Sequence, residues 1–189
     1  MINWQVTKGN LIEKERNKYV YAYEILLNQL INLSIAAILA FISHELIGVL
    51  MFLIVYIPLR KYAGGFHAKS SERCILYSSL VILYIILLNK WLRYVSNGYD
   101  KVIEICFMLL LVFVWHVAPI EAQNKQLDRE ERGKYRRKVH IICIIHISIM
   151  ALNVLILKRK CISINILAGY IILFWVLIVA YKNKKVKEY

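Results

Sequence analysis

The stretch RKYAGGFHAKSSERC, residues 60–74, carries a histidine and a cysteine on a basic segment between two strongly apolar regions. A deprotonated thiol is a competent nucleophile, and an imidazole within reach can take its proton. On one straight α-helix His67 and Cys74 would share a face but stand about 10 Å apart along the axis, too far for that transfer. Gly64-Gly65 argues against a straight helix, because glycine admits backbone conformations that other residues avoid. Ser70 or Ser71 is a good N-cap for a helix that runs on into the next apolar block. His67 can then fold back over the helix start, with Cys74 in its first turn near unpaired N–H groups. Helix N-termini and neighbouring cations favour the thiolate, the reactive form. Arg60, Lys69 and Arg73 are the candidate cations. A plainer reading stays open: a tight glycine turn, basic anchors, and an incidental histidine and cysteine.

The other cysteines suit this chemistry less well. Cys106 and Cys143 fall inside apolar blocks, where a thiol behaves as a small hydrophobe. Cys161 sits at a predicted external boundary with no histidine nearby in sequence. No two cysteines have CxxC spacing, so neither a disulfide framework nor a zinc ribbon follows. His116, His140 and His146 lie in or beside apolar blocks, and helix–helix hydrogen bonding accounts for each. A zinc site from His140, Cys143 and His146 would lack an acidic partner and a recognisable ligand set. No metal or cofactor is expected.

The elements that must position the loop follow from hydropathy. The chain of 189 residues is 60% hydrophobic, with a mean hydropathy of +0.55. Soluble domains are nearer 45–50% apolar, roughly. The excess comes in blocks: 75–95, 102–120, 139–157 and 162–181 are each long enough to cross a bilayer as a helix. Ile25 to Leu59 is also apolar but is broken by Ser43-His44-Glu45. A full span needs about 20 apolar residues, so these first two helices are predicted to be short and tilted or re-entrant. The reading is a single all-α, polytopic membrane domain over 1–189 with about six transmembrane helices. Residues 1–24 mix charged and aromatic side chains as an interfacial segment would. They show no signal-peptide pattern, so the first helices are expected to serve as their own insertion signals.

Charge orients the chain. The formal net charge is +13, but the lysines and arginines flank the apolar blocks, which speaks against a nucleic-acid partner. With alternating connections, the N-terminal segment, loop 60–74, loop 121–138 and the C-terminal tail share one side with 19 Lys and Arg, against 6 on the other. The richer side is expected to be cytoplasmic. Lys158-Arg159-Lys160 is the exception to the pattern. The basic loops could attract anionic membrane lipids or an acidic peptide.

Arg60, Ala63, Gly64, Gly65, His67, Ala68, Ser70, Ser71 and Cys74, set between an early apolar pair and a third span, resemble the accessory gene regulator B family. These are membrane cysteine endopeptidases of Gram-positive quorum sensing. Size, span count and the second basic loop extend the resemblance over essentially the whole chain. Ala118-Pro119 followed by Lys125 is similar to the family's pattern after the fourth span. The resemblance implies Cys74 as nucleophile, His67 as its partner, and Arg60, Gly65 and Ser71 as supporting residues. It implies a short propeptide substrate with an amphipathic N-terminal helix and an acidic C-terminal tail. The tail is removed, the remaining peptide is held as a thioester, and the peptide's own cysteine or serine closes a thiolactone or lactone ring. A homodimer in the bacterial cell membrane, with the catalytic loop cytoplasmic, would be the usual assembly.

Loop 121–138 holds seven Lys and Arg. It is either a topology signal on a solvated hairpin or a grip for the acidic tail by Lys125, Arg132, Arg136 or Arg137. No acidic third member of the catalytic pair is evident, since Glu72 equally suits a helix start. Two other classes stay open: a small transporter or channel built on groups such as Glu104 or His116, and a membrane-embedded assembly protein.

Overall fold

Inside a bilayer no water is available to backbone N–H and C=O groups, so apolar segments close those bonds within helices. The computed structural model describes residues 16–65, 70–92, 99–120 and 128–185. These form α1 (Arg16–Ile42), α2 (Leu46–Ala63), α3 (Ser71–Leu92), α4 (Asp100–Val117), α5 (Arg129–Leu152) and α6 (Lys160–Lys185). A π turn, Asn153–Leu157, extends α5. The all-α expectation is met.

Two expectations need correction. The first two helices are not short: Tyr23–Ile42 and Leu46–Ala63 are both long and apolar enough to cross a membrane. The sequence count began the first block too late and ended the second before Arg60, whereas both helices run through their polar ends. The fourth helix is the weaker one. Five helices qualify as candidate spans, and α4 is not among them. Asp100, Lys101 and Glu104 occupy its first turns, which leaves an apolar run of roughly 20 Å against a hydrocarbon thickness of about 30 Å. The basic loops also shrink. Arg60 to Ala63 end α2, Ser71 to Cys74 begin α3, and 129–138 belong to α5. Residues 1–15 of the interfacial segment lie outside the described residues.

The central pair is α2 with α6. They approach closely at Gly169, where an added Cβ would meet Val55 Cγ1 at 3.1 Å. Small residues permit such contacts in membranes, where packing rather than water exclusion joins helices. On one side α4 and α5 complete a core of Leu59, Phe107, Val114, Val139, Cys143, Tyr170, Leu173 and Leu177. On the other, α1 and α3 complete a second core around Ala40, Phe52, Ile82, Ile85 and Ala168. Phe107 meets Tyr170 and Phe113 meets Phe174, so α4 runs parallel to α6. Helix direction alternates along the chain. The C-terminal ends of α2, α4 and α6 therefore gather with the N-terminal ends of α3 and α5.

At the opposite end, Asn89 and Asn165 exchange amide hydrogen bonds of 3.2 and 3.0 Å, joining α3 to α6. Asn165 also donates to the Cys161 carbonyl at 2.8 Å. Gly48 of α2 packs on Asn89, which an added Cβ would meet at 3.0 Å. Asn165→Ala removes both bonds between the two amides, while Asn89 keeps its bond to the Ile85 carbonyl, and is expected to cost about 1 kcal/mol, the usual scale for an interhelical hydrogen bond in a membrane. Thermal unfolding in detergent should show a midpoint lower by a few degrees. An unchanged midpoint would mean the pair contributes nothing.

Candidate active site

α2 ends because its next two residues are glycines in the left-handed region, Gly64 at φ 75° and Gly65 at φ 110°. The turn is bound to the segment after α4. Gly65 N–H donates to the Ile120 carbonyl at 3.2 Å, and Ile120 N–H donates to the Ala63 carbonyl at 3.0 Å. Neither glycine has room for a side chain. A Cβ on Gly64 would overlap the Ile120 carbonyl oxygen, and one on Gly65 would lie 2.7 Å from Val176 Cγ1 and 3.1 Å from Arg60 Nη1. Ala118 and Pro119, which precede Ile120, are buried here. Ile120, the residue after the Ala118-Pro119 motif, thus supplies the backbone partner of the glycine turn.

Arg60, in the last turn of α2, donates from Nη1 to the Gly64 carbonyl. Its guanidinium also hydrogen-bonds the Tyr56 hydroxyl and lies within electrostatic range of Cys74. Beyond the loop, Arg73 N–H donates to Ser70 Oγ at 3.4 Å and Cys74 N–H to the Ser70 carbonyl at 3.1 Å. Ser70 is thus the cap that the sequence suggested. Cys74 sits in the first turn of α3 as a free, half-buried thiol. Its own N–H is committed to Ser70, while the N–H groups of Ser71 and Glu72 precede the first helical bond and are candidate donors to an oxyanion. Ser71 Oγ donates to Asn28 Oδ1, tying the start of α3 to α1. His67 and Lys125 lie outside the described residues.

The basic part of α5 borders this turn. Tyr62 stands edge-on to Tyr135 at 5.8 Å between ring centres, and Lys138 Nζ lies 4.7 Å over the Tyr62 ring. Deeper, His140 stacks on Trp115 at 3.9 Å and its Nε2 is 3.2 Å from the Trp115 carbonyl oxygen. Arg132, Arg136 and Arg137 are exposed on this stretch of α5. Lys134 pairs with Glu130 at 2.9 Å, both in solvent, where such a pair stabilises little.

The remaining candidates disperse. His146 Nδ1 is 3.2 Å from the Tyr170 hydroxyl, which donates to Cys143 Sγ at 3.5 Å. With His140 engaged by Trp115, those three residues do not converge. Among the described residues, no three His, Cys, Asp or Glu side chains are grouped to hold a metal ion. Cys106 is on α4, and Cys161 is at the Asn89–Asn165 end. Sequence reasoning missed two participants. Tyr56 could have been found from its i, i+4 spacing to Arg60. Ile120 could not, because its role is played by backbone atoms.

A multi-pass helical membrane protein, with a cysteine at a helix start and an arginine-bound glycine turn beside it, is the class these features define. The family model of accessory gene regulator B matches residues 1–182, and the chain belongs to that family. Membership implies a role in processing the quorum-sensing peptide of an accessory gene regulator system. AgrB-like protein 2 of Clostridium perfringens (strain 13 / Type A) is 26% identical over 149 residues, covering 76% of this chain and 70% of its own length. An AgrB-like protein of Clostridium perfringens (strain SM101 / Type A) is 25% identical over 142 residues, covering 73% and 66%. No solved structure gives a significant match.

The two glycine positions give a sharp contrast with a third. Gly64→Ala combines a positive φ with backbone overlap and should abolish peptide processing and lower the yield of folded protein. Gly133→Ala, on an exposed helical turn with nothing within 4 Å, should leave processing unchanged and add up to about 1 kcal/mol of stability. Equal tolerance of both in a membrane processing assay would show that the glycine turn is not required.

Proposed function

We propose that this protein is a membrane cysteine endopeptidase that cuts a short propeptide and lets the product cyclise. The observation that carries the reading is the half-buried Cys74 thiol at the start of α3, in electrostatic range of Arg60 and next to the glycine turn. His67 takes the thiol proton, and Cys74 Sγ attacks the carbonyl carbon of the scissile bond. Negative charge develops on that carbonyl oxygen, and the N–H groups of Ser71 and Glu72 are suited to receive it. The C–N bond then breaks. His67 returns the proton to the leaving amine, the acidic tail departs, and the peptide remains as a thioester on Cys74. A cysteine or serine of the same peptide attacks the thioester carbon and expels the Cys74 thiol, closing a thiolactone or lactone. Ring closure is intramolecular, so its effective concentration is high. Exchange of thioester for thiolactone releases little energy, so water must be kept out, and a half-buried nucleophile favours this.

The end of the bundle that bears Cys74 also bears Arg73 and the cations of α5, which supports a cytoplasmic position for it. Arg132, Arg136 and Arg137, with Lys125, are assigned to the acidic tail of the propeptide. Two subunits form the working assembly. A transporter finds less support: Asn89 and Asn165 bond each other, and Tyr170 bonds His146 and Cys143, so these internal polar groups join helices.

Co-expression with a short propeptide that has an amphipathic N-terminal helix and an acidic C-terminal tail tests the chemistry. Wild type should remove the tail, and Cys74→Ala should not, while remaining folded in the membrane. His67→Ala should fall by about 10²–10⁴ in rate, the usual value of a general acid–base. Tail loss with Cys74→Ala would remove that residue as nucleophile. Reversing Arg136 and Arg137 to glutamate should raise KM several-fold more than it lowers kcat, since those contacts serve binding. A loss confined to kcat would contradict their assignment.

A further inference from the structure

We propose that Tyr56 is a positioning residue for the nucleophile: its hydroxyl holds the Arg60 guanidinium in place between the Gly64 carbonyl and Cys74. This rests on the reading of Cys74 as nucleophile given above. Tyr56 stands one helical turn before Arg60 on α2, at the spacing that stacks two side chains on one face. Arg60 then has two anchors, the Gly64 carbonyl and the Tyr56 hydroxyl, and both side chains lie in electrostatic range of Cys74. An arginine with one anchor keeps much of its rotamer freedom, and a second anchor narrows where its charge can be.

Tyr56 is itself fixed. Its ring stacks on Phe52, with 5.1 Å between centres and 14° between planes, and Phe52 is 1% exposed. Tyr56 Cβ also lies 4.0 Å from where a Cβ of Gly169 would be, so it leans on α6. A continuous series of contacts therefore runs from the α2–α6 interface through Tyr56 and Arg60 to the glycine turn. The missing side chain at Gly65 completes it, because a Cβ there would stand 3.1 Å from Arg60 Nη1. Tyr56 acts through Arg60 and needs no contact with substrate. Arg60 and Cys74 interact electrostatically, so loss of the hydroxyl, which frees the guanidinium to move, should register as lower reactivity of Cys74.

The test is alkylation of Cys74 by iodoacetamide in detergent-solubilised protein at neutral pH. Peptide mass spectrometry separates Cys74 from Cys106, Cys143 and Cys161. Wild type, Tyr56→Phe, Arg60→Gln and the double variant are compared. Phenylalanine keeps the ring on Phe52 and removes only the hydroxyl. Tyr56→Phe should slow Cys74 about fivefold, the scale of one lost hydrogen bond, and should slow it no further in the Arg60→Gln background. Cys143, buried in the core, should keep its rate. Wild-type reactivity of Tyr56→Phe would overturn the proposal, as would an equal loss in the Arg60→Gln background or a general rise at Cys143. The fate of the underlying reading is separate. If Cys74→Ala still processes the propeptide, the nucleophile assignment fails whatever Tyr56→Phe does. If Cys74→Ala is inactive and Tyr56→Phe alkylates normally, only the role of Tyr56 fails.

Discussion

Two backbone hydrogen bonds, from Gly65 N–H to the Ile120 carbonyl and from Ile120 N–H to the Ala63 carbonyl, set the geometry of the functional end. Both residues of the turn are glycine because each takes a positive φ, and a Cβ would strike the Ile120 carbonyl oxygen at Gly64 and Val176 at Gly65. The same pairing stops α2, leaves the Gly64 carbonyl to accept from Arg60, and joins the end of α2 to the end of α4. Because backbone atoms make the bonds, neighbouring side chains can change without loosening the joint. A membrane protein gains little from burying apolar surface against lipid, so such polar joints and close glycine contacts must fix relative helix positions.

The molecule divides its polar groups between its two ends and its middle. At one end Arg60 binds the glycine turn, and Tyr62 links α2 to α5 through Tyr135 and Lys138. In the middle, Tyr170 joins His146 and Cys143 across α5 and α6. At the far end, Asn89 and Asn165 perform the corresponding task for α3 and α6. The internal polar groups thus join helices, while Arg136 and Arg137 of α5 are exposed. Family membership implies a role in quorum-sensing peptide processing.

Much of this was legible in the sequence, for identifiable reasons. The helices announced themselves as apolar blocks, and Ser70 marked the start of α3. Gly64-Gly65 marked a turn because only a demanding backbone needs two glycines there. Helix ends are less legible, since charged residues such as Arg60 and Arg129 suggest loop although helices readily carry them in their terminal turns. The weakness of α4 was written in Asp100, Lys101 and Glu104, whose charges shorten its apolar run. The pairing of Ala63 and Gly65 with Ile120 was not legible. It joins segments more than fifty residues apart through atoms that every residue shares, so no side-chain pattern encodes it. The Ala118-Pro119 motif was visible in sequence, but its position beneath the glycine turn was not.

The most direct measurement is intact mass spectrometry of the enzyme, quenched in acid while it turns over the short propeptide. The expected result is an adduct with the mass of the tail-less peptide less one water, mapped to Cys74 and removed by hydroxylamine as a thioester would be. Enzyme that processes the peptide at full rate yet carries no adduct, or carries it on another residue, would contradict covalent chemistry at Cys74.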